Sequence, residues 1–128
     1  MKQLFGLFFL ITTGLMFQTG CYYDKEEELY PPQNCDTSNV TYSSTIAPIL
    51  SNRCFGCHSN ANAQNFGNGI SFEGHTNIAG YLTTSTEIFL GAINHTDGYP
   101  AMPPSSPKLT PCNISQIENW IADGYPDN

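Results

Sequence analysis

The apolar residues at the start of the chain form one unbroken run. Lys2 is followed by an uncharged stretch over 4–17 and then by small residues up to Cys21. Fourteen helical residues span only about 21 Å, less than the roughly 30 Å hydrocarbon core of a bilayer. A basic start, a short apolar run and small residues at its end are typical of a secretory signal. The pattern therefore predicts a signal peptide over 1–20 and export of the protein.

Further along, apolar residues recur at helical spacing and predict a first helix. Its stripe comprises Ile46, Ile49, Leu50 and Cys54. Ser43 or Ser44 is the expected N-cap, and Pro48 falls in the first turn, where a missing N–H costs least. Residues 60–69 are rich in Asn and Gly and predict a loop.

Three further helices are predicted, and no strand pattern accompanies them. A short helix is expected after Thr76, and a second over 87–93 with Ile88, Phe89, Ala92 and Ile93 as its buried side. The last begins with Thr110 as N-cap and Pro111 at its first position, and ends at Gly124. Its buried face is predicted to comprise Ile114, Ile117, Trp120 and Ile121. The expected fold class is all-α.

Composition and charge narrow the class of protein. The 128 residues suit one domain. Eleven acids against four bases, a formal charge of −7, exclude a nucleic-acid binder, because few cations are present to neutralise phosphates. In residues 21–128 only 19 of 108 are Leu, Ile, Val or Phe, about 18 per cent, which borders on the disordered class. Something besides side chains is therefore expected to complete the core.

The sharpest chemical signal is Cys54-Phe55-Gly56-Cys57-His58. Cys-x-x-Cys-His is the attachment motif of c-type haem: each thiol adds to one haem vinyl group, and the histidine ligates the iron. A helix can place these three side chains on one side, whereas a strand points neighbours to opposite faces. The predicted cofactor is one covalently attached haem c per chain.

Other interpretations of the two cysteines are weaker. A thioredoxin-like redox pair is expected beside a βαβ pattern, which is missing from the sequence. Zinc needs about four ligands, and His75, His95 or Cys112 would have to join the motif. A disulfide between Cys54 and Cys57 would close too small a ring to stabilise much.

Elimination points to Met102 as the sixth iron ligand. Met1 and Met16 lie in the signal peptide, so Met102 is the only methionine of the mature chain. It lies in a Pro-rich segment, 98–104, which is suited to presenting one thioether sulfur rigidly. A core-filling Met is the alternative role. His75 and His95 are rival ligands, but their polar neighbours suggest that both are solvated.

The chain resembles the class I cytochrome c family, in particular small single-haem lipoprotein domains of electron-carrier type. The resemblance rests on the Cys-x-x-Cys-His motif, on Ala101-Met102-Pro103-Pro104 and on the last helix. It implies a small cytochrome c fold over 34–128, with three to five short helices around one covalently bound haem. It also implies His58 and Met102 as axial ligands of the iron.

The same resemblance implies how the remaining pair of cysteines is used. In the family the first and last helices cross beside the haem, which would bring Cys35 and Cys112 together. Export permits a disulfide between them. Two buried free thiols are the alternative.

The segment before the domain resembles a bacterial lipoprotein signal, which implies that Cys21 is lipidated. Gln18 departs from that pattern, and ordinary cleavage nearby would leave Cys21 a free thiol. Residues 21–33, with an acidic run over 24–28 and a Pro-rich end, predict a solvated tether. An acidic run behind a lipidated cysteine also resembles a signal for the outer face of the outer membrane.

The sequence thus predicts an electron-transfer protein without catalytic activity of its own. We expect lipid anchoring outside the cytoplasm, on the periplasmic side or the cell surface. The acidic balance implies a redox partner protein with a basic docking patch. The alternatives are a haem-based gas sensor in which Met102 detaches, and the haem subunit of a larger exported oxidoreductase.

Overall fold

Helices dominate the part of the chain that the structure describes, residues 35–128. The computed structural model has a π-helical turn at Tyr42–Ile46 and helices α1 (Ala47–Arg53), α2 (Phe55–His58), α3 (Ala63–Phe66), α4 (His75–Ile93) and α5 (Pro111–Ala122). These residues contain no strand, which confirms the all-α class for them. None of their helices has the length and hydropathy needed to cross a bilayer. The predictions for 1–20, for 21–33 and for Cys21 lie outside the described residues, as does the proposed domain start at residue 34.

The first helical segment begins earlier than the sequence suggested. Thr41, not Ser43 or Ser44, is the N-cap: it is extended, with φ −115° and ψ 155°, and its Oγ1 accepts a hydrogen bond from the Ser44 N–H at 3.1 Å. The Ile46 N–H reaches back five residues to the Thr41 carbonyl at 3.1 Å, which produces the π-helical turn. Pro48 lies in the first turn of α1 as predicted.

Of two predictions for the middle of the chain, one is wrong and one is confirmed. The expected loop over 60–69 contains α3, in which the Phe66 N–H bonds the Asn62 carbonyl at 2.9 Å and the Gly67 N–H bonds the Ala63 carbonyl at 3.0 Å, while the Ala63 side chain is buried. The two helices expected after Thr76 and over 87–93 are both present, as two helical stretches of α4 that meet at a non-helical residue. A kink at Ser85, with φ −134° and ψ 22°, marks where the sequence suggested a break.

One apolar cluster joins the ends of the domain. It comprises Ile46, Ile49, Leu50, Phe72, Ile78, Leu82, Phe89, Ile93, Leu109, Ile114, Ile117 and Trp120. Helix α5 packs against the π-helical turn, so that the predicted stripes of the first and last helices meet in this cluster. Ile121 is only partly buried, and Ile88, predicted to be buried, is 47% exposed.

The predicted ends of the last helix are confirmed. Thr110 caps α5, since its Oγ1 accepts a hydrogen bond from the Asn113 N–H at 3.2 Å, and Pro111 is the first helical residue. Gly124 follows the helix at φ +84°, a conformation that glycine adopts without steric cost. Beyond it, the Pro126 carbonyl accepts a hydrogen bond from Trp120 Nε1 at 3.0 Å, which fastens the C-terminal segment to α5.

A disulfide joins Cys35 to Cys112 in the structure. The two Cα atoms are 5.4 Å apart, and the bonded residues are separated by 77 positions. The bridge fastens the segment before the π-helical turn to the first turn of α5. Gln116 adds a second tie there, because its Nε2 donates to the Asp36 carbonyl at 3.2 Å.

Removing this bridge is expected to destabilise the domain markedly. Because the crosslink closes a loop of 77 residues, we expect the Cys35→Ser/Cys112→Ser variant to lose about 4 kcal/mol of unfolding free energy. Guanidinium denaturation followed by circular dichroism measures the change, with reduced wild type as the matched control. An unchanged midpoint, or alkylation of both thiols in the non-reduced wild type, would contradict the prediction.

Candidate functional site

A cavity of about 490 Å³ lies beside the core, within the size range of ligand pockets. Much of its wall is apolar and includes Ile70, Phe72, Phe89, Ile93 and Leu109. All four residues predicted to bind haem line it: Cys54, Cys57, His58 and Met102. The fold therefore brings Met102 to the same space as the motif, although 44 positions separate it from His58.

Helical backbone explains why the three motif residues face this one cavity. Cys54 continues α1, since its N–H bonds the Leu50 carbonyl at 2.8 Å. The chain then turns into α2, where the His58 N–H bonds the Cys54 carbonyl at 2.8 Å. Side chains three and four residues apart share a face of a helix, so Cys57 and His58 are carried to the side on which Cys54 lies.

The imidazole of His58 is held in one orientation. Its Nδ1 is 2.8 Å from the Ile70 carbonyl oxygen. Because a carbonyl can only accept, Nδ1 is the donor, and in the neutral ring the lone pair is then on Nε2. The ring of Phe72 stacks on the imidazole with centroids 4.6 Å apart, and the Phe72 N–H bonds the His58 carbonyl at 2.8 Å.

Gly67 permits this arrangement, and the sequence analysis missed it. A Cβ at this position would lie 2.7 Å from the Cys57 carbonyl oxygen, 2.9 Å from that of Ile70 and 3.0 Å from His58 Nδ1. Two of these contacts are with backbone, which has little freedom to move away. The sequence signal was one glycine among several in an Asn- and Gly-rich segment, and nothing in that composition set it apart.

The two thiols of the motif are free and half-buried. Burial raises the pKa of the Cys54 thiol to about 11, while the neighbouring Arg53 guanidinium opposes the shift. The Cys54 thiol is therefore protonated at neutral pH. Arg53 also lines the cavity, and its Nη2 donates to the Pro107 carbonyl at 2.8 Å, which ties the end of α1 to the segment after Met102.

Main-chain and side-chain bonds fix the backbone of Met102. Its N–H bonds the Ala92 carbonyl in the last turn of α4 at 3.0 Å. Its own carbonyl accepts a hydrogen bond from His95 Nε2 at 3.1 Å. The side chain is half-buried and lines the cavity, so the methionine does not fill the core cluster.

The two other histidines do not line the cavity, and neither is solvated as the sequence suggested. Both are half-buried. The Nε2–H of His75 donates to the Tyr125 carbonyl at 2.9 Å, and its ring packs edge-on against Tyr42. His95 uses its Nε2 on the Met102 backbone. Within 35–128 no three His, Cys, Asp or Glu side chains group as a metal site, so zinc gains no support there.

Comparison with known proteins returns no match to this chain among family models, curated proteins or solved structures. The functional argument therefore depends on the geometry of the cavity and on the chemistry of the residues that line it.

Replacing Gly67 with alanine tests the close contact beside His58. We expect Gly67→Ala to lower the unfolding free energy by about 1–3 kcal/mol, because the new methyl group overlaps two carbonyl oxygens. Gly80→Ala in α4 is the matched control: its Cβ meets nothing within 4 Å, so a helix gains up to about 1 kcal/mol from the substitution. Chemical denaturation compares the two. Equal midpoints would show that the contact at Gly67 is not tight.

Proposed function

We propose that this chain is a haem c-binding electron-transfer protein, a one-electron carrier with a small cytochrome c fold. The observation that carries the proposal is the shared cavity. Cys54, Cys57, His58 and Met102 all line it, and Nε2 of His58 is left without a proton. Two thiols, one imidazole nitrogen and one thioether are the donor set that a c-type haem with His/Met ligation requires.

The residues of the cavity fit the group in size and in polarity. Cys54 and Cys57 would form the thioether bonds, and His58 Nε2 and the Met102 sulfur would hold the iron. The aromatic and aliphatic wall, with Phe72 stacked against His58, offers the apolar surroundings that the haem macrocycle requires. When bound, haem iron supplies the exchange of one electron between its ferrous and ferric states.

The hydrogen bond between His58 and Ile70 has a definite role in this proposal. It fixes the tautomer of the imidazole and makes the ring a better donor through Nε2. The thioether of Met102 favours the ferrous state relative to a second imidazole and so raises the potential. The His58 ring and the backbone of Met102 are thus held by hydrogen bonds that involve main-chain atoms.

The residues around the cavity favour a carrier over an enzyme. In the described part of the chain, the ionisable side chains that line it are Arg53, Cys54, Cys57, His58 and Tyr81, and none is a carboxylate. Under the proposal the haem would occupy Cys54, Cys57 and His58, which leaves Arg53 and Tyr81 as the other ionisable side chains beside the cavity. We therefore propose electron transfer to a partner protein and no chemistry on a bound substrate.

Charge suggests how the partner docks. Residues 35–128 hold seven acids and two bases, a formal charge of −5. A partner with a basic patch would associate faster at low salt than at high salt. Lipidation of Cys21 and anchoring outside the cytoplasm remain part of the proposal, because residues 21–33 would then tether the domain near the membrane.

Covalent attachment of haem is the direct test. The full-length chain, produced in a bacterium that matures c-type cytochromes, is expected to retain haem after denaturation and to show the added mass. Cys54→Ser and Cys57→Ser should each lose a thioether bond. The control variant Cys35→Ser/Cys112→Ser removes two sulfur atoms that do not line the cavity and should keep both thioether bonds. Wild-type protein without retained haem would overturn the proposal.

Ligation by Met102 is tested separately with Met102→Leu, which keeps the volume but lacks the sulfur. We expect this variant to lose the long-wavelength absorption band of the methionine–ferric iron bond, to have a lower potential and to bind CO when reduced. His75→Gln lies outside the cavity and should keep the band. CO binding by reduced wild type would instead favour the gas-sensor alternative.

A further inference from the structure

We infer that Tyr99 is a positioning residue for Met102. Its ring packs on Gly91 and its hydroxyl bonds Glu87, and these two contacts set where the thioether enters the cavity. The inference rests on the proposed function, since it concerns how the sixth ligand is held. Tyr99 does not line the cavity. It acts from the other side of α4, through the segment that carries Met102.

That segment is bonded to the last turn of α4 at three points. The N–H of Thr96 bonds the Gly91 carbonyl at 2.9 Å, and the N–H groups of His95 and Met102 bond the Ala92 carbonyl at 3.2 and 3.0 Å. The chain can close on the helix in this way because His95 and Gly98 have positive φ, at 51° and 91°. The backbone of Met102 is therefore positioned relative to two carbonyls of α4.

The ring of Tyr99 lies directly on Gly91. A Cβ at Gly91 would be 2.5 Å from both Cγ and Cδ2 of the ring and 2.9 Å from Cδ1. Because Cγ lies on the axis of the Cβ–Cγ bond, turning the ring about that bond does not relieve the contact, and the ring would have to leave Gly91 altogether. Glycine inside a helix costs about 0.5–1 kcal/mol relative to alanine. The contact with Tyr99 gives a structural reason for a glycine in the interior of α4.

A hydrogen bond holds the Tyr99 ring against Gly91. The Tyr99 hydroxyl donates to Glu87 Oε1 at 2.5 Å, and Glu87 lies one turn before Gly91 on the same helix. This bond raises the pKa of the Tyr99 hydroxyl, so the hydroxyl remains a donor at neutral pH. The Tyr99 ring, the Glu87 carboxylate and Gly91 thus form a clamp on α4. From Tyr99 the chain returns to the cavity at Met102, only three residues later.

The clamp predicts a specific effect of substitutions that never touch the cavity. In Gly91→Ala the methyl group displaces the ring, the 94–102 segment shifts, and the Met102 sulfur leaves the iron in a larger fraction of molecules. Tyr99→Ala removes the ring and should have the same effect. Tyr99→Phe removes only the bond to Glu87 and should have a smaller one. Gly80→Ala, in the same helix but in open space, is the matched control.

The experiment uses haem-loaded full-length protein and reads ligation directly. Gly91→Ala and Tyr99→Ala are expected to weaken or lose the methionine–ferric iron band and to lower the reduction potential. Their apparent CO affinity in the reduced state should rise in proportion to the detached fraction. Covalent haem content should match wild type, because Cys54 and Cys57 are unchanged. Gly80→Ala should resemble wild type in every measurement.

A double-mutant cycle separates the clamp from general destabilisation. If Gly91→Ala acts through the ring, adding it to Tyr99→Ala should cause no further loss of the band. Additive losses, or a full band in Tyr99→Ala, would overturn the inference. If Gly91→Ala does not accumulate as folded protein, the band in Tyr99→Ala decides the question alone, because Tyr99 is half-exposed and its truncation disturbs the core less. Wild type without covalent haem would refute the proposed function, and wild type with haem but without the band would refute Met102 as its ligand. Both outcomes differ from failure of the clamp, because they appear in the protein without any substitution.

Discussion

The close approach of segment 67–72 to α2 is the contact on which the rest of the site depends. One hydrogen bond fixes the His58 ring against the Ile70 carbonyl, and the Phe72 ring stacks on the same imidazole. Gly67 lets the two backbones meet, because any side chain there would collide with two carbonyl oxygens. A donor nitrogen is thereby presented to the cavity in a single tautomer, with its partner already supplied by the protein.

Helix α4 completes the site from the opposite side and gives it rigidity. Toward the cavity it contributes Phe89, Ala92 and Ile93. The carbonyls of its last turn receive the segment that returns with Met102, and its outer surface seats the ring of Tyr99. The same helix therefore forms a wall of the cavity and holds the backbone of Met102.

The small core and the cavity have a common explanation under the proposed function. A chain with few large aliphatic residues keeps its cluster between the two ends of the domain, where α5 meets the π-helical turn. The disulfide between Cys35 and Cys112 reinforces the same place. Phe72, Phe89, Ile93 and Leu109 belong to this cluster and also line the cavity, so that a bound haem would extend the core with apolar contacts that side chains do not supply.

Local signals in the sequence were sufficient to predict those helices that carry capping or stop residues, and to predict the chemistry of the motif. Thr110, Pro111 and Gly124 act at their own positions, so the limits of α5 followed from the sequence alone, and so did the buried faces of α1 and α5. The all-α class and the grouping of the cysteines with His58 rest on equally local patterns. Local patterns did not predict what depends on distant partners; the pairing of Cys35 with Cys112 and the grouping of Met102 with the motif were expected from the family resemblance. Composition did not reveal the tight contact at Gly67, the ring on Gly91 or the exposure of Ile88, because each depends on which backbone lies opposite. Tertiary structure alone decided that Met102 faces the cavity while His75 and His95 bond to carbonyls, since only the folded chain determines which donors remain free.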